Sequence, residues 1–231
     1  MEPLVTVLIS SYNQGAYISE CLNSVLNQSY KNLQVIVVDD GSQDDTLEIL
    51  QSCEDERLTA LTTEKNTAFR LYEIAEKEIQ GKYVAELASD DRWTLDKIKK
   101  QVDFLESHGS IGAVFSWCEV LTPDLNEKER LEKIFNVQNR EMHEWFRELI
   151  VEGNKFNNPS VMFRTEVFQK YGGYRFQYRQ LQDLELGLRM LPNETIYVMP
   201  EKLTYYMWHP QDKVGNISAA TVDNMVRLDT E

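Results

Sequence analysis

A short apolar run ends in two adjacent carboxylates in Glu86-Leu87-Ala88-Ser89-Asp90-Asp91-Arg92-Trp93. Aspartate is rarely buried unless paired or bound to a metal, so the pair is hard to explain as packing. At a strand end, two such groups form a hard-oxygen site suited to Mg²⁺ or Mn²⁺ holding a diphosphate. Ser89-Asp90-Asp91 also has the composition of a turn and helix N-cap, and these residues alone leave both readings open. Two further polar clusters, Ser10-Ser11-Tyr12-Asn13 and Asp39-Asp40-Gly41-Ser42, also follow apolar runs. Asp40 offers acceptors for a base N–H or a ribose hydroxyl, whereas Asp39 equally suits a turn beside Gly41.

The elements that must position these clusters alternate. Residues 4–9, 33–38, 58–62 and 83–87 read as strands, the first two nearly all apolar like strands buried on both faces. Between them lie helical patterns: Tyr17, Cys21, Val25 and Leu26 share a face, residues 46–51 follow Ser42 or Asp44 as caps, and 67–79 form a third helix. This alternation predicts an α/β fold with a doubly wound, mostly parallel sheet, helices on both faces and function at the C-terminal strand ends. The polar clusters then line one edge and converge as a nucleotide-diphosphate pocket, with Asp90 and Asp91 holding the ion that bridges the phosphates.

After Trp93, Leu95, Ile98, Val102 and Leu105 share a helical face, with Thr94 as cap and His108-Gly109 as the stop. Residues 111–117 read as a strand, and from Pro123 the pattern is less regular. The charge run 126–133 reads as a solvated face. Residues 139–151 form an amphipathic helix whose apolar face is Trp145, Phe146, Leu149 and Ile150. Residues 160–163 are a short strand followed by a brief helix, 183–190 is a helix, and 196–199 and 203–207 are two strands. No pattern is found after Asn216.

Composition narrows the class of function. The 231 residues are 42% hydrophobic, enough for a substantial core, and 24 Lys and Arg against 38 Asp and Glu give a net charge of −14. That charge disfavours nucleic acid and anionic lipid as partners, so an anionic substrate has to be received by metal ions or backbone N–H groups. Cys21, Cys53 and Cys118 are too scattered for a disulfide framework or zinc site, which implies a reducing, cytoplasmic setting. Met1-Glu2-Pro3 lacks the basic flank of a signal peptide, and no apolar run approaches the roughly 20 residues that span a bilayer. Attachment at the inner face of a membrane would need a segment outside this chain.

Three stretches resemble the opening of the inverting GT-A-fold glycosyltransferases of family 2, the large bacterial nucleotide-sugar family. They are Val5-Thr6-Val7-Leu8-Ile9-Ser10-Ser11-Tyr12-Asn13, then Cys21 to Tyr30, then Val37-Val38-Asp39-Asp40-Gly41-Ser42-Gln43-Asp44-Asp45-Thr46. The likeness continues through Gly81-Lys82-Tyr83-Val84 into Ser89-Asp90-Asp91, similar to the family's DxD-type metal motif. Pro159 to Arg164 and Phe168 to Tyr174 are similar to its acceptor-side segment, and Gln182-Asp183-Leu184-Glu185-Leu186-Gly187-Leu188-Arg189 to its "ED..l..R" motif. The resemblance runs from about Val5 to about His209. It implies a single glycosyltransferase domain over 1–231, with a nucleotide-sugar-binding half (1–118) and an acceptor-binding half (119–231).

The resemblance also implies roles. Ser10, Tyr12, Asn13, Asp40 and Asp90 line the nucleotide-sugar site, and Asp90, Asp91 and His209 serve a divalent Mn²⁺ or Mg²⁺. Asp183 is the catalytic base, removing the acceptor hydroxyl proton as the oxygen attacks the anomeric carbon. The implied donor is a nucleotide-diphosphate sugar, UDP-linked by default, and the implied acceptor a saccharide or lipid-linked saccharide. For His209 a surface ring packed on Trp208 is the competing reading. Trp208 and Tyr178 are candidates to stack on a sugar face. Many relatives have Asp at the position of Ala88 and Glu at that of Gln182, and a Gly- and Arg-containing stretch where this chain has Asn66-Thr67-Ala68-Phe69-Arg70. Ala88 and Gln182 keep a catalytically silent nucleotide-sugar-binding module in view. A sugar nucleotidyltransferase would need a Gly-rich basic loop after the first strand and a dinucleotide oxidoreductase a GxGxxG there, and residues 10–15 supply neither.

Overall fold

The computed structural model describes residues 2–66, 71–175 and 181–209. In chain order the elements are β1 (Val5–Ser11), α1 (Ile18–Leu26), β2 (Leu33–Asp39), α2 (Thr46–Gln51), β3 (Leu58–Thr62), α3 (Leu71–Glu76), β4 (Tyr83–Ala88) and β5 (Arg92–Trp93). There follow α4 (Lys97–Ser107), β6 (Ile111–Leu121), α5 (Leu125–Phe135), α6 (Met142–Glu152), β7 (Met162–Arg164), α7 (Thr165–Lys170), α8 (Gln182–Met190) and β8 (Thr195–Met207).

Among the described residues the strands form one eight-stranded sheet in the order β3-β2-β1-β4-β7-β6-β8-β5. The first four are mutually parallel. β7 is antiparallel to both β4 and β6, while β8 runs parallel to β6 and antiparallel to β5. β1 and β2 are apolar at successive positions because successive side chains meet opposite covered faces. Val5, Val7, Ile9, Val35 and Val37 pack with α1 and α4 on one face. Leu8, Ile36 and Val38 pack on the other with Trp145 and Leu149 of α6, Phe168 of α7, and Leu186 and Met190 of α8. Cys118, Val120, Leu131, Tyr206 and Trp208 make a third cluster.

Several boundaries differ from the sequence expectation. β1 runs through Ser10 and Ser11, which ladder with Val38, Ala88 and Asp39. The two expected strands 196–199 and 203–207 are one strand, β8. Its register with β6 breaks between Ser116 and Cys118, where Met199 pairs with Ser116 and Lys202 with Trp117. Pro200 thus falls in an irregularity that does not require its missing N–H.

The charge run is α5, started by Asp124, whose side chain accepts from the N–H groups of Asn126 and Glu127, and anchored by buried Leu131. Its outer face is solvated, with Glu127–Arg130 and Glu129–Lys133 pairs. α6 starts at a capping box made by Glu141 and Glu144. Of its expected apolar face, Trp145 and Leu149 are buried, while Phe146 and Ile150 are exposed. Thr94 does not cap α4: its carbonyl accepts from Gln28 Nε2 at 2.6 Å, and the helix starts after Asp96. Of the expected helix 67–79, residues 71–76 form α3, 77–79 lie past its end, and 67–70 lie outside the described residues.

Gly81 sets the approach of β4 to β1. A Cβ there would lie 2.5 Å from the Thr6 nitrogen and 2.6 Å from the Tyr83 oxygen, both backbone atoms that cannot swing aside. Gly81→Ala is therefore expected to lower the unfolding free energy by about 1–3 kcal/mol in a denaturant titration. Unchanged stability would show that this contact is not tight.

Candidate functional site

The parallel register places Ser10 beside Val38 and Ala88, and Ser11 beside Asp39, so the clusters that follow β1, β2 and β4 leave the sheet along one edge. The Asp40 N–H donates to the Ser11 carbonyl at 2.8 Å and the Ser89 N–H to the Ser10 carbonyl at 3.2 Å, extending the ladder one step past each neighbouring strand. Asp39 is fully buried; it accepts from Ser42 N–H at 3.0 Å, from the Ser42 hydroxyl and from Thr62 Oγ1 at 3.2 Å. Its carboxylate is spent on the turn at Gly41, where φ is +74°. Asp40 is also largely buried, and Thr63 Oγ1 donates to its Oδ1 at 3.1 Å.

Asn13 ties two loops together. Its N–H donates to Ser42 Oγ at 2.8 Å and its Oδ1 accepts from the Gln43 N–H at 2.8 Å, with the backbone in the left-handed region at φ 52°. Asp44 adds a second tie, accepting from the N–H groups of Gly15 (2.9 Å) and Thr46 (3.0 Å). Ser10 and Tyr12 are half-buried on the same edge.

The carboxylate pair read as one unit in the sequence is split by the fold. Asp91 turns inward, is 2% exposed, and accepts the Met207 N–H of β8 at 2.7 Å. Burial, then the neighbouring Asp90 charge, push its carboxyl well above the ordinary range. Asp90 has a different partner: its Oδ2 lies 3.0 Å from His209 Nε2, with the Tyr17 ring centroid 5.2 Å from that of the imidazole. His209 is thus a buried partner of Asp90, not a surface ring. Trp208 is buried in the third cluster, which removes it as a stacking platform. Tyr178 and residues 67–70 lie outside the described residues.

Among the described residues no group of three or more His, Cys, Asp or Glu side chains is arranged to hold a metal ion. The Asp90–His209 pair nevertheless suits a divalent cation whose other ligands are phosphate oxygens and water, a carboxylate and an imidazole being donors such ions accept. Ala88, at the end of β4, adds no donor.

Asp183 opens α8. Its Oδ2 accepts from Asn154 Nδ2 at 2.6 Å and its Oδ1 from the Leu184 N–H at 2.8 Å. Burial raises its pKa above the ordinary carboxylate value against the opposing effect of these hydrogen bonds. It also borders a small cavity of about 20 Å³ with Asn158, Phe156, Phe163 and Leu186.

Glu86 was not singled out from the sequence, although a Glu inside the apolar run Tyr83-Val84-Ala85-Glu86-Leu87 is a visible anomaly. It is 2% exposed and bonded to Asn158 Nδ2 at 3.1 Å, and burial pushes its pKa up to about 8, with Glu76 and Asp183 adding to the rise. The loop bearing Asn158 is clamped by Trp93 Nε1 to the Pro159 carbonyl (2.7 Å) and Gln101 Nε2 to the Ser160 carbonyl (2.8 Å). Asn154, Asn158 and these clamps gave no local sequence signal, because each acts across a long separation.

The parallel half extended by a mixed half is the architecture of the GT-A class of glycosyltransferase folds. The profile of Glycosyl transferase family 2 matches residues 6–172, and the chain belongs to that family. A Bacillus subtilis (strain 168) protein named as a teichuronic acid biosynthesis glycosyltransferase, TuaG, is 43% identical over 107 residues, 45% of this chain and 42% of TuaG. The Escherichia coli UDP-Glc:alpha-D-GlcNAc-diphosphoundecaprenol beta-1,3-glucosyltransferase WfaP is 37% identical over 108 residues, 45% of this chain and 42% of WfaP. The matched stretch thus covers 42% of the length of each of these two relatives. Among solved structures, S. aureus TarS 1–349 in complex with UDP-GlcNAc superposes with a TM-score of 0.73 at 20% identity, covering 97% of this chain and 65% of that one. No described helix is long and apolar enough to cross a membrane.

The inward bond of Asp91 predicts a scaffold role. Asp91→Ala, which strands the Met207 N–H, is expected to cost about 1–3 kcal/mol of unfolding free energy, and Asp91→Asn, which keeps an acceptor, much less. Equal losses, or none, in denaturant titrations would contradict that role.

Proposed function

We propose that this chain transfers a sugar from a nucleotide diphosphate to a hydroxyl of a saccharide or lipid-linked saccharide, with inversion at the anomeric carbon. The observation that most supports this reading is the Asp90–His209 pair beside the shared edge of β1, β2 and β4. Asp40, at the end of β2, meets the base or ribose; Ser10 and Tyr12 line the same edge, and Asn13 braces it. Asp90 and His209 would hold Mn²⁺ or Mg²⁺ in the presence of the diphosphate, with Asp91 bracing the turn through the Met207 N–H. When bound, that ion offsets the charge that grows on the departing diphosphate. Uridine diphosphate is the first candidate donor, since WfaP is named for UDP-Glc and the TarS structure contains UDP-GlcNAc. WfaP's named acceptor, a diphosphoundecaprenol-linked sugar, favours a lipid-linked acceptor here, met at the inner face of the membrane in the cytoplasm.

Asp183 takes the proton of the attacking hydroxyl. Its raised pKa makes it a stronger base than an ordinary aspartate, and the neutral Gln182 beside it adds no competing charge. A base must be ionised to act, so turnover falls as pH drops through the Asp183 pKa, which lies above the ordinary value of about 3.9.

Calorimetric titration with uridine, guanosine and thymidine diphosphates, with and without Mn²⁺, tests the donor site. Uridine diphosphate is expected to bind, more tightly with the ion, and binding of none of the three would overturn the reading. Asp183→Asn is expected to reduce transfer by at least about 10²-fold while leaving donor binding nearly intact. Unchanged turnover would remove Asp183 from the mechanism. Nucleotide binding without transfer from any sugar nucleotide would favour the silent binding module, the reading that Ala88 and Gln182 support.

A further inference from the structure

The turn that follows α6 ends against Asp183. At Gly153 the chain enters the left-handed region, with φ 84°, and the next residue, Asn154, spans the space to α8. Its amide has a defined orientation. Oδ1 accepts the Phe156 N–H at 3.0 Å, so Nδ2 is the group that faces Asp183 Oδ2, at 2.6 Å. Phe156 is itself fixed, stacked on Phe115 with ring centroids 4.5 Å apart and packed on Trp145 at 4.9 Å. The amide cannot reverse without losing the Phe156 bond. With the Leu184 N–H on Oδ1 and the Asn154 amide on Oδ2, both Asp183 oxygens are held by donors.

We infer that Asn154 is a positioning residue for the reaction, aiming the Asp183 carboxylate and holding it ready to accept a proton. The inference rests on the reading of Asp183 as the general base. Burial works against the charged form of Asp183, and the Asn154 donor is one of the groups that oppose burial. The other charges nearby do not substitute for it. Burial pushes the Glu86 pKa up to about 8, which favours its neutral form at lower pH. Glu185 of α8 is paired with Arg189 at 2.7 Å and Arg175 at 3.3 Å, and Lys155 is paired with Glu152 at 3.0 Å. Nothing in the local sequence Glu152-Gly153-Asn154-Lys155 marks this role, since the turn alone would justify an asparagine.

The isosteric change Asn154→Asp separates the two roles. It keeps an oxygen to accept the Phe156 N–H, and hence the turn, but replaces the donor to Asp183 with a second carboxylate, so its shift is read against Asn154→Ser, which removes the donor without adding a charge. The acid limb of the kcat–pH profile is expected to move up by about one unit or more, with donor affinity from calorimetry within about twofold of wild type. Asn154→Ser, whose hydroxyl suits the turn but is too short to reach Asp183, is expected to move the limb in the same direction; it serves if the Asp variant does not fold. A wild-type profile in the folded variant, alongside an inactive Asp183→Asn, would overturn the inference and leave the base reading standing. Full activity of Asp183→Asn would overturn both.

Discussion

The backbone ladder that holds β1 between β2 and β4 is the constraint on which the rest of the structure depends. Parallel pairing fixes which residues end level with one another, and a slip of one residue would turn every side chain of β1 to the opposite face. With Ser10 level with Val38 and Ala88, the polar turns leave the sheet together, and the bonds from Asp40 N–H and Ser89 N–H to β1 carbonyls carry the register past the strands. Asn13 and Asp44 then lock the first loop to the second. The apolar content of β1 and β2 is thus a condition of the site, because burial on both faces excludes the alternative registers.

A second level of organisation is electrostatic. The chain has a net charge of −14, yet places several carboxyls inside or beside its core. Glu86 and Asp91 are both buried and each has another carboxylate nearby, and burial, the larger cause, favours their protonated forms. Asp39 is instead surrounded by donors from Ser42 and Thr62. Asp90 faces an imidazole, and Asp183 is balanced between burial and two donors. The same functional group thereby serves as turn brace, scaffold, proposed metal ligand and proposed base, according to what surrounds it. In this reading Asp91 supports the turn from which Asp90 projects, rather than sharing the ion with it.

Much of this was legible in the sequence. Two-faced apolar runs exposed β1 and β2, and the polar clusters marked their ends, because a buried parallel strand and its exit loop differ sharply in composition. Asp40, Asp90 and Asp183 stand out in the sequence as candidate site residues, and Asp39 suits a turn there as well as a site. The geometry of the Asp90-Asp91 pair was not legible, since two adjacent identical residues give no sign of which one turns inward. The competition between a packed surface ring and a diphosphate partner at His209 needed β8, whose bulge around Pro200 brings the far end of the chain to Asp90. α5 was hidden because its helix is stabilised mainly by a cap and exposed ion pairs, with Leu131 as its buried residue. Asn154 and Asn158 were invisible for a simpler reason: their partners are Asp183 and Glu86, far away along the chain.

We propose that Asp90 and His209, rather than Asp91, would receive the divalent ion that accompanies a nucleotide diphosphate. Pulsed electron paramagnetic resonance of Mn²⁺ bound together with uridine diphosphate tests it most directly. The account predicts a nitrogen coupling from a coordinated imidazole, lost in His209→Ala and kept in Asp91→Asn. A Mn²⁺–nucleotide complex with no such coupling in the wild-type protein, or with the coupling intact after His209→Ala, would contradict it.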